Sequence, residues 1–108
     1  MYKINEKPVS VNAMRKGRTF LTTEYKRFKR DAVLELLSQK PKKVLGKTLE
    51  VTLIFYLKDL YKCDIDNLAK STIDSCTEAG LWEDDRYITT LTLIKEKANK
   101  DSVSIIVI

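Results

Sequence analysis

There is no histidine among the 108 residues of this chain. An imidazole general base is therefore excluded, and so is a zinc set completed by histidine. Cysteine is scarce too: only Cys63 and Cys76 occur, and Cys76 falls on the expected buried face of a helix, where a free thiol packs as a small hydrophobe. Also missing is any run approaching the roughly 20 apolar residues of a membrane span. Nor does the start, Met1-Tyr2-Lys3-Ile4-Asn5-Glu6, carry the apolar stretch of a secretory signal, so the expectation is a cytoplasmic protein with no membrane partner. Repeats and low-complexity segments are absent as well.

What remains is ordinary for a folded domain: 44% apolar and 32% charged residues, at a length that suits one domain spanning residues 1–108. The charge is unevenly placed. Residues 1–63 carry fifteen Lys and Arg against six Asp and Glu, whereas residues 64–108 carry five against nine. A basic surface beside an acidic pocket suits a polyanion held by Lys and Arg while a pocket-bound metal acts on it; a mixed solvated surface accounts for the same charges.

Alternation at Tyr2, Ile4, Val9 and Val11, broken by Pro8, predicts a short strand or extended arm. Residues 12–22 read as a mobile basic loop whose Arg15, Lys16 and Arg18 are suited to touching phosphates. Tyr25, Phe28, Ala32, Val33, Leu36 and Leu37 fall at helical spacing, which predicts a helix over 23–39 with Thr22 or Thr23 as N-cap. The run from Leu49 to Leu57 predicts a central strand. A second helix is expected from near Asp66 to its terminator Gly80. Strands at 87–95 and 102–108, joined through Asn99, Lys100 and Asp101, read as a C-terminal hairpin. The expected fold is α/β (α+β): one mixed four-stranded sheet with two main helices, in the order β-α-β-α-β-β.

The densest polar cluster is Cys63-Asp64-Ile65-Asp66-Asn67-Leu68-Ala69-Lys70-Ser71-Thr72-Ile73-Asp74. At about 100° per residue, Asp66, Asn67, Lys70 and Asp74 share one helix face, with Leu68, Thr72, Ile73, Cys76 and Ala79 opposite. Asp64 and Asp66, two apart in an extended approach, can share a hard cation such as Mg²⁺. Asp66 serves equally well as a helix cap. A calcium-binding helix-loop-helix fails on spacing, because Ala69 and Ser75 stand where that loop needs Gly and Glu. Lys70 is either a surface partner of Asp74 or an ammonium that stabilises phosphate charge. The second acidic group, Trp82-Glu83-Asp84-Asp85, is either a solvated turn or a further source of ligands, depending on how the strands pair.

Taken in order, Asp-Ile-Asp-Asn-x-x-Lys-x-x-x-Asp from Asp64 to Asp74, then Ala79-Gly80-Leu81-Trp82-Glu83-Asp84-Asp85, resembles the signature of the RusA family of Holliday-junction resolvases. Val9-Ser10-Val11-Asn12 and the strand and helix order extend the likeness over most of the chain. The resemblance implies a homodimer that binds four-way DNA junctions and makes paired symmetric nicks in recombination and repair. It implies Mg²⁺, with Mn²⁺ able to substitute, and no small-molecule cofactor. Essential carboxylates then fall on Asp64, Asp66 and Asp85 and the important lysine on Lys70; Asp84, as a further metal position, and Asp74 match family acidic positions. Products carrying a 5′-phosphate follow from the same likeness. A non-catalytic junction-binding module of the same fold is the alternative. One departure stands out: the residue before the first Asp is often basic in this family, whereas here it is Cys63, leaving Lys62 to supply the DNA contact.

Overall fold

A computed structural model describes residues 1–16 and 20–108. The chain opens with strand β1 (Tyr2–Ile4), then a 3₁₀ turn (Val11–Ala13) and two very short strands, β2 (Arg15–Lys16) and β3 (Phe20–Leu21), which pair antiparallel. Part of the expected mobile loop is therefore a two-stranded piece. Arg18 lies outside the described residues.

Helix α1 (Thr23–Ser38) begins where the threonine signal places it, with Thr22 Oγ1 accepting the backbone N–H of Tyr25 at 3.1 Å. Its buried positions, Tyr25, Phe28, Ala32 and Leu36, follow the helical period. Strand β4 (Leu49–Leu57) buries Leu49, Val51, Leu53, Phe55 and Leu57 on one face. A 3₁₀ turn (Ile65–Leu68) leads into helix α2 (Ala69–Ala79), which ends on Gly80 in the left-handed region at φ 84°. Leu81 N–H donates to the Cys76 carbonyl and Gly80 N–H to that of Thr77, each at 3.1 Å, so the last helical carbonyls are satisfied by the reversing chain. A third 3₁₀ turn (Asp85–Tyr87), strand β5 (Ile88–Lys97) and strand β6 (Ser102–Val107) complete the chain.

The main sheet has the order β1-β6-β4-β5. Strand β6 is antiparallel to both β1 and β4, whereas β5 is parallel to β4. The sheet is mixed and four-stranded, as expected, but β5 and β6 form no hairpin. They lie on opposite sides of β4, and the link between them passes over its end, where Ala98 N–H donates to Leu57 O at 2.9 Å. Two features explain the difference. Helix α2 makes the crossover that returns the chain parallel to β4, and β4, the most apolar strand, gains a neighbour on each edge. Helices α1 and α2 pack together, and the core joins Phe28, Leu36, Leu53, Phe55, Leu68, Trp82, Val103 and Ile105, all at most 1% exposed. Among the described residues no helix is long and apolar enough to cross a membrane.

Candidate functional site

Beyond β4 the chain leaves the sheet, crosses a loop and enters the 3₁₀ turn that precedes α2. That loop is held from β5. The half-buried Lys95 donates through Nζ to Leu60 O at 2.6 Å and to Cys63 O, while Lys97 Nζ donates to Lys58 O. An ammonium on two carbonyls fixes the backbone immediately before Asp64.

Asp64 stands at the N-cap position of the turn in extended conformation, with φ −69° and ψ 146°, yet its side chain makes no capping bond; Asp66 is one residue inside the turn. Both are exposed and neither forms an ion pair with Lys or Arg among the described residues. Capping, the structural explanation available from the sequence, is therefore not what these carboxylates do. Buried Leu68, Ser71, Thr72, Ser75, Cys76 and Ala79 hold one side of α2 against the core and leave Lys70 exposed, with Asp66 exposed on the preceding turn and Asp74 half-buried against α1. Ser71 Oγ and Ser75 Oγ satisfy themselves on the Val9 and Ser71 carbonyls, at 2.7 and 2.8 Å.

Lys70 Nζ pairs with Asp74 at 3.1 Å, and Asp74 accepts the Tyr25 hydroxyl at 3.0 Å. The polar face of α2 is thus tied to α1, a link that sequence reading missed because Tyr25 fits the core pattern and is only 3% exposed.

The second acidic group is elsewhere. In the parallel register Leu49 lies beside Ile88 and Leu57 beside Lys97, so Asp84 and Asp85, just before β5, stand at the end of the sheet where β4 begins. Asp64 and Asp66 follow the end where β4 stops. Among the described residues no three Asp, Glu or Cys side chains form a group able to hold a metal ion. The structure therefore joins Asp64 with Asp66 and Asp84 with Asp85 through the chain, and does not bring the two pairs together.

Asp84 and Asp85 also differ from each other. Asp84 caps the turn it precedes, accepting Arg86 N–H at 3.0 Å, and lies 3.5 Å from the Arg86 guanidinium. That backbone bond first, and the guanidinium charge next among the favourable effects, holds its carboxyl below the usual carboxylate range. Asp85 is exposed and makes no ion pair among the described residues, which leaves it the freer of the two.

Lys62 is exposed and lines two adjoining clefts together with Lys7, whose Nζ lies 3.4 Å from Cys63 Sγ. Lys7 had no motif to mark it. It reaches the site only because the extended N-terminal segment crosses beside residue 63. Arg15 and Lys16 fall on β2.

The donor chemistry at Asp64 and Asp66 fits a hard divalent cation: carboxylate oxygens, exposed and unneutralised by any described Lys or Arg. Two such carboxylates leave most of a six-oxygen shell to water and substrate, which is the habit of Mg²⁺.

Residues 4–108 match the family model described as Endodeoxyribonuclease RusA. Curated relatives called crossover junction endodeoxyribonuclease RusA, from Escherichia coli (strain K12), Enterobacteria phage 82 and Shigella sonnei (strain Ss046), are each 27% identical to this chain over 86 residues, covering 79% of this chain and 71% of theirs. With a match over nearly its whole length, the chain belongs to the RusA endodeoxyribonuclease family.

Proposed function

We propose that this protein is a Mg²⁺-dependent endonuclease that resolves four-way DNA junctions by paired, symmetric nicks during recombination and repair in the cytoplasm. The observation that carries the reading is the state of Asp64 and Asp66: both are exposed at the entrance to α2, Asp64 makes no capping bond, and neither has a Lys or Arg partner among the described residues, with exposed Lys70 following in the first turn of the helix. Carboxylates kept free of structural partners are suited to holding a cation against a phosphate.

Asp64 and Asp66 would hold the metal, with Asp85 of a second copy a further ligand and Asp84 its neighbour in reserve, since within one chain the two pairs lie at opposite ends of the sheet; Mn²⁺ has the same preference for oxygen and would substitute. When bound, the ion supplies Lewis-acid polarisation of the phosphate and a more acidic water. Lys70 places a positive charge where negative charge builds on the phosphorus oxygens. Hydrolysis adds the water oxygen to phosphorus, breaks the bond to the 3′ oxygen and leaves a 5′-phosphate and a 3′-hydroxyl. No histidine exists to take the proton, so no imidazole base enters the scheme.

Two nicks require two sites, and a two-fold homodimer matches a two-fold junction. A second copy is also the simplest source of further carboxylates for each Asp64–Asp66 pair, given that Asp85 of the same chain lies at the other end of the sheet. The sheet face away from the core carries half-buried Thr52, Ile54, Ile94 and Ile106, an apolar surface compatible with pairing.

The test is incubation of a synthetic four-way junction and a matched linear duplex with the protein, with and without Mg²⁺. Symmetric nicking of the junction alone, abolished in Asp66→Asn while binding persists, is the expected result. Binding without any metal-dependent cleavage would establish instead a non-catalytic junction-binding module of the same fold. Equal cutting of the duplex would leave a nuclease but no resolvase.

A further inference from the structure

Lys7 carries a half-buried ammonium whose one hydrogen-bond partner among the described residues is the thiol of Cys63, at 3.4 Å. A thiol is a weak acceptor and does not balance a positive charge. No carboxylate pairs with Lys7 among the described residues. The backbone around it is fixed on both sides. Asn5 N–H donates to Glu35 at 3.0 Å, Glu6 pairs with Arg27 at 3.1 Å, and Val9, 5% exposed, accepts Ser71 Oγ of α2. The lysine is thus held in place by its neighbours and has no ion-pair partner among the described residues.

Lys7 and Lys62 line two adjoining clefts, of about 320 and 220 Å³. The first is walled by Ser10, Glu24 and Cys63 and the second by Lys58, Asp59 and Asp101. Two of the three carboxylates are turned to the loop backbone, which fixes where their charge sits: Asp59 accepts Tyr61 N–H at 3.0 Å, and Asp101 accepts Lys58 N–H at 2.9 Å. Glu24 sits in the first turn of α1, where a negative charge complements the helix dipole. Lys7 and Lys62 are the cations common to both clefts, and Cys63, the residue before Asp64, walls the first.

We propose that Lys7 and Lys62 form a seat for a DNA phosphate next to the one that a cation at Asp64 and Asp66 would hold, with Lys7 reaching it from the N-terminal segment. The proposal rests on the nuclease reading above. Its ligand is a phosphodiester of the strand to be cut, bound through charge and without base readout.

The test measures binding of the full chain to a synthetic four-way junction in EDTA across a range of salt. Lys7→Gln should bind about tenfold more weakly, and the slope of log K against log salt should shrink by about 0.9, the share of a single neutralised phosphate. Lys7→Arg, which keeps the charge, should restore both. The thiol gives an independent readout on the unaltered protein. Cys76 is fully buried and its thiol is pushed up to about 12, so maleimide reports on Cys63, and bound junction should slow that labelling. Wild-type affinity and slope in Lys7→Gln, or labelling of Cys63 indifferent to DNA, would overturn the seat. If the wild type binds and cuts the junction while either of those results is found, the nuclease reading survives and only the seat falls. If the wild type binds no DNA, both fall.

Discussion

The hydroxyl of Tyr25 on α1 donates to Asp74 on α2 at 3.0 Å, across 49 positions of sequence, and the same carboxylate holds Lys70 at 3.1 Å. The lysine expected to face the phosphate is thereby referred to a second helix. The Lys70 side chain is 59% exposed, so its pairing with Asp74 adds little to stability, and under the proposed mechanism its consequence is positional. Asp74→Asn should lower the cleavage rate at saturating junction by about tenfold while junction affinity changes by less than about threefold. Asp74→Glu should recover part of the rate. A loss confined to melting temperature, with the rate per folded molecule intact, would remove the positioning role.

Lys95 offers a test of the loop that delivers Asp64. Its ammonium serves the carbonyls of Leu60 and Cys63 from the neighbouring strand, and Lys95→Met keeps the length of the stem while removing the donor. Loss of about 1–3 kcal/mol in urea unfolding is expected, from carbonyls left without their partner. Amide exchange should quicken in residues 58–64 and stay slow in β4. Uniform protection in both segments would show that the loop holds itself.

Gly80 adopts φ 84°, although a Cβ built there would meet nothing within 4 Å. The prediction separates strain from collision: Gly80→Ala should destabilise the fold by about 1–2 kcal/mol through the left-handed backbone alone. Gly80→Asn, which tolerates that region better, should cost less. Equal stability of Ala and Gly at this position, measured by chemical denaturation, would contradict the argument.

Burial pushes the Cys76 thiol from its ordinary value of 9.0 up to about 12. Folded protein therefore keeps this proton over a range in which the unfolded chain has released it. The sign follows: the contribution is fully present below pH 9 and is lost as pH rises from there toward 12. Unfolding free energy should fall over that window, and Cys76→Ala should flatten the slope while lowering stability at neutral pH through the cavity it leaves. Identical alkaline slopes in the two proteins would refute the assignment.

Much of this molecule is legible in its sequence because the determinants are local. Helical spacing marks α1, Thr22 caps it, Gly80 ends α2, and the apolar run at 49–57 gives β4, since each depends on neighbours within a few residues. The ordered motif from Asp64 to Asp85 likewise identifies the family, and the polar face of α2 follows from its 3.6-residue period. What the sequence leaves open is who stands beside whom. Alternation says which face of a strand is buried but not which strand pairs with it, so the separation of β5 and β6 by β4 emerges only when the crossover through α2 is formed. That same parallel pairing sends Asp84 and Asp85 to the opposite end of the sheet from Asp64 and Asp66. Likewise Lys7 beside Cys63 and Tyr25 beside Asp74 join segments 56 and 49 residues apart. Asp64 and Asp66 were thus marked as a pair by their spacing, but only tertiary structure decided that Asp64 makes no capping bond, that Lys7 stands beside neighbouring Cys63, and that Asp85 lies at the opposite end of the sheet.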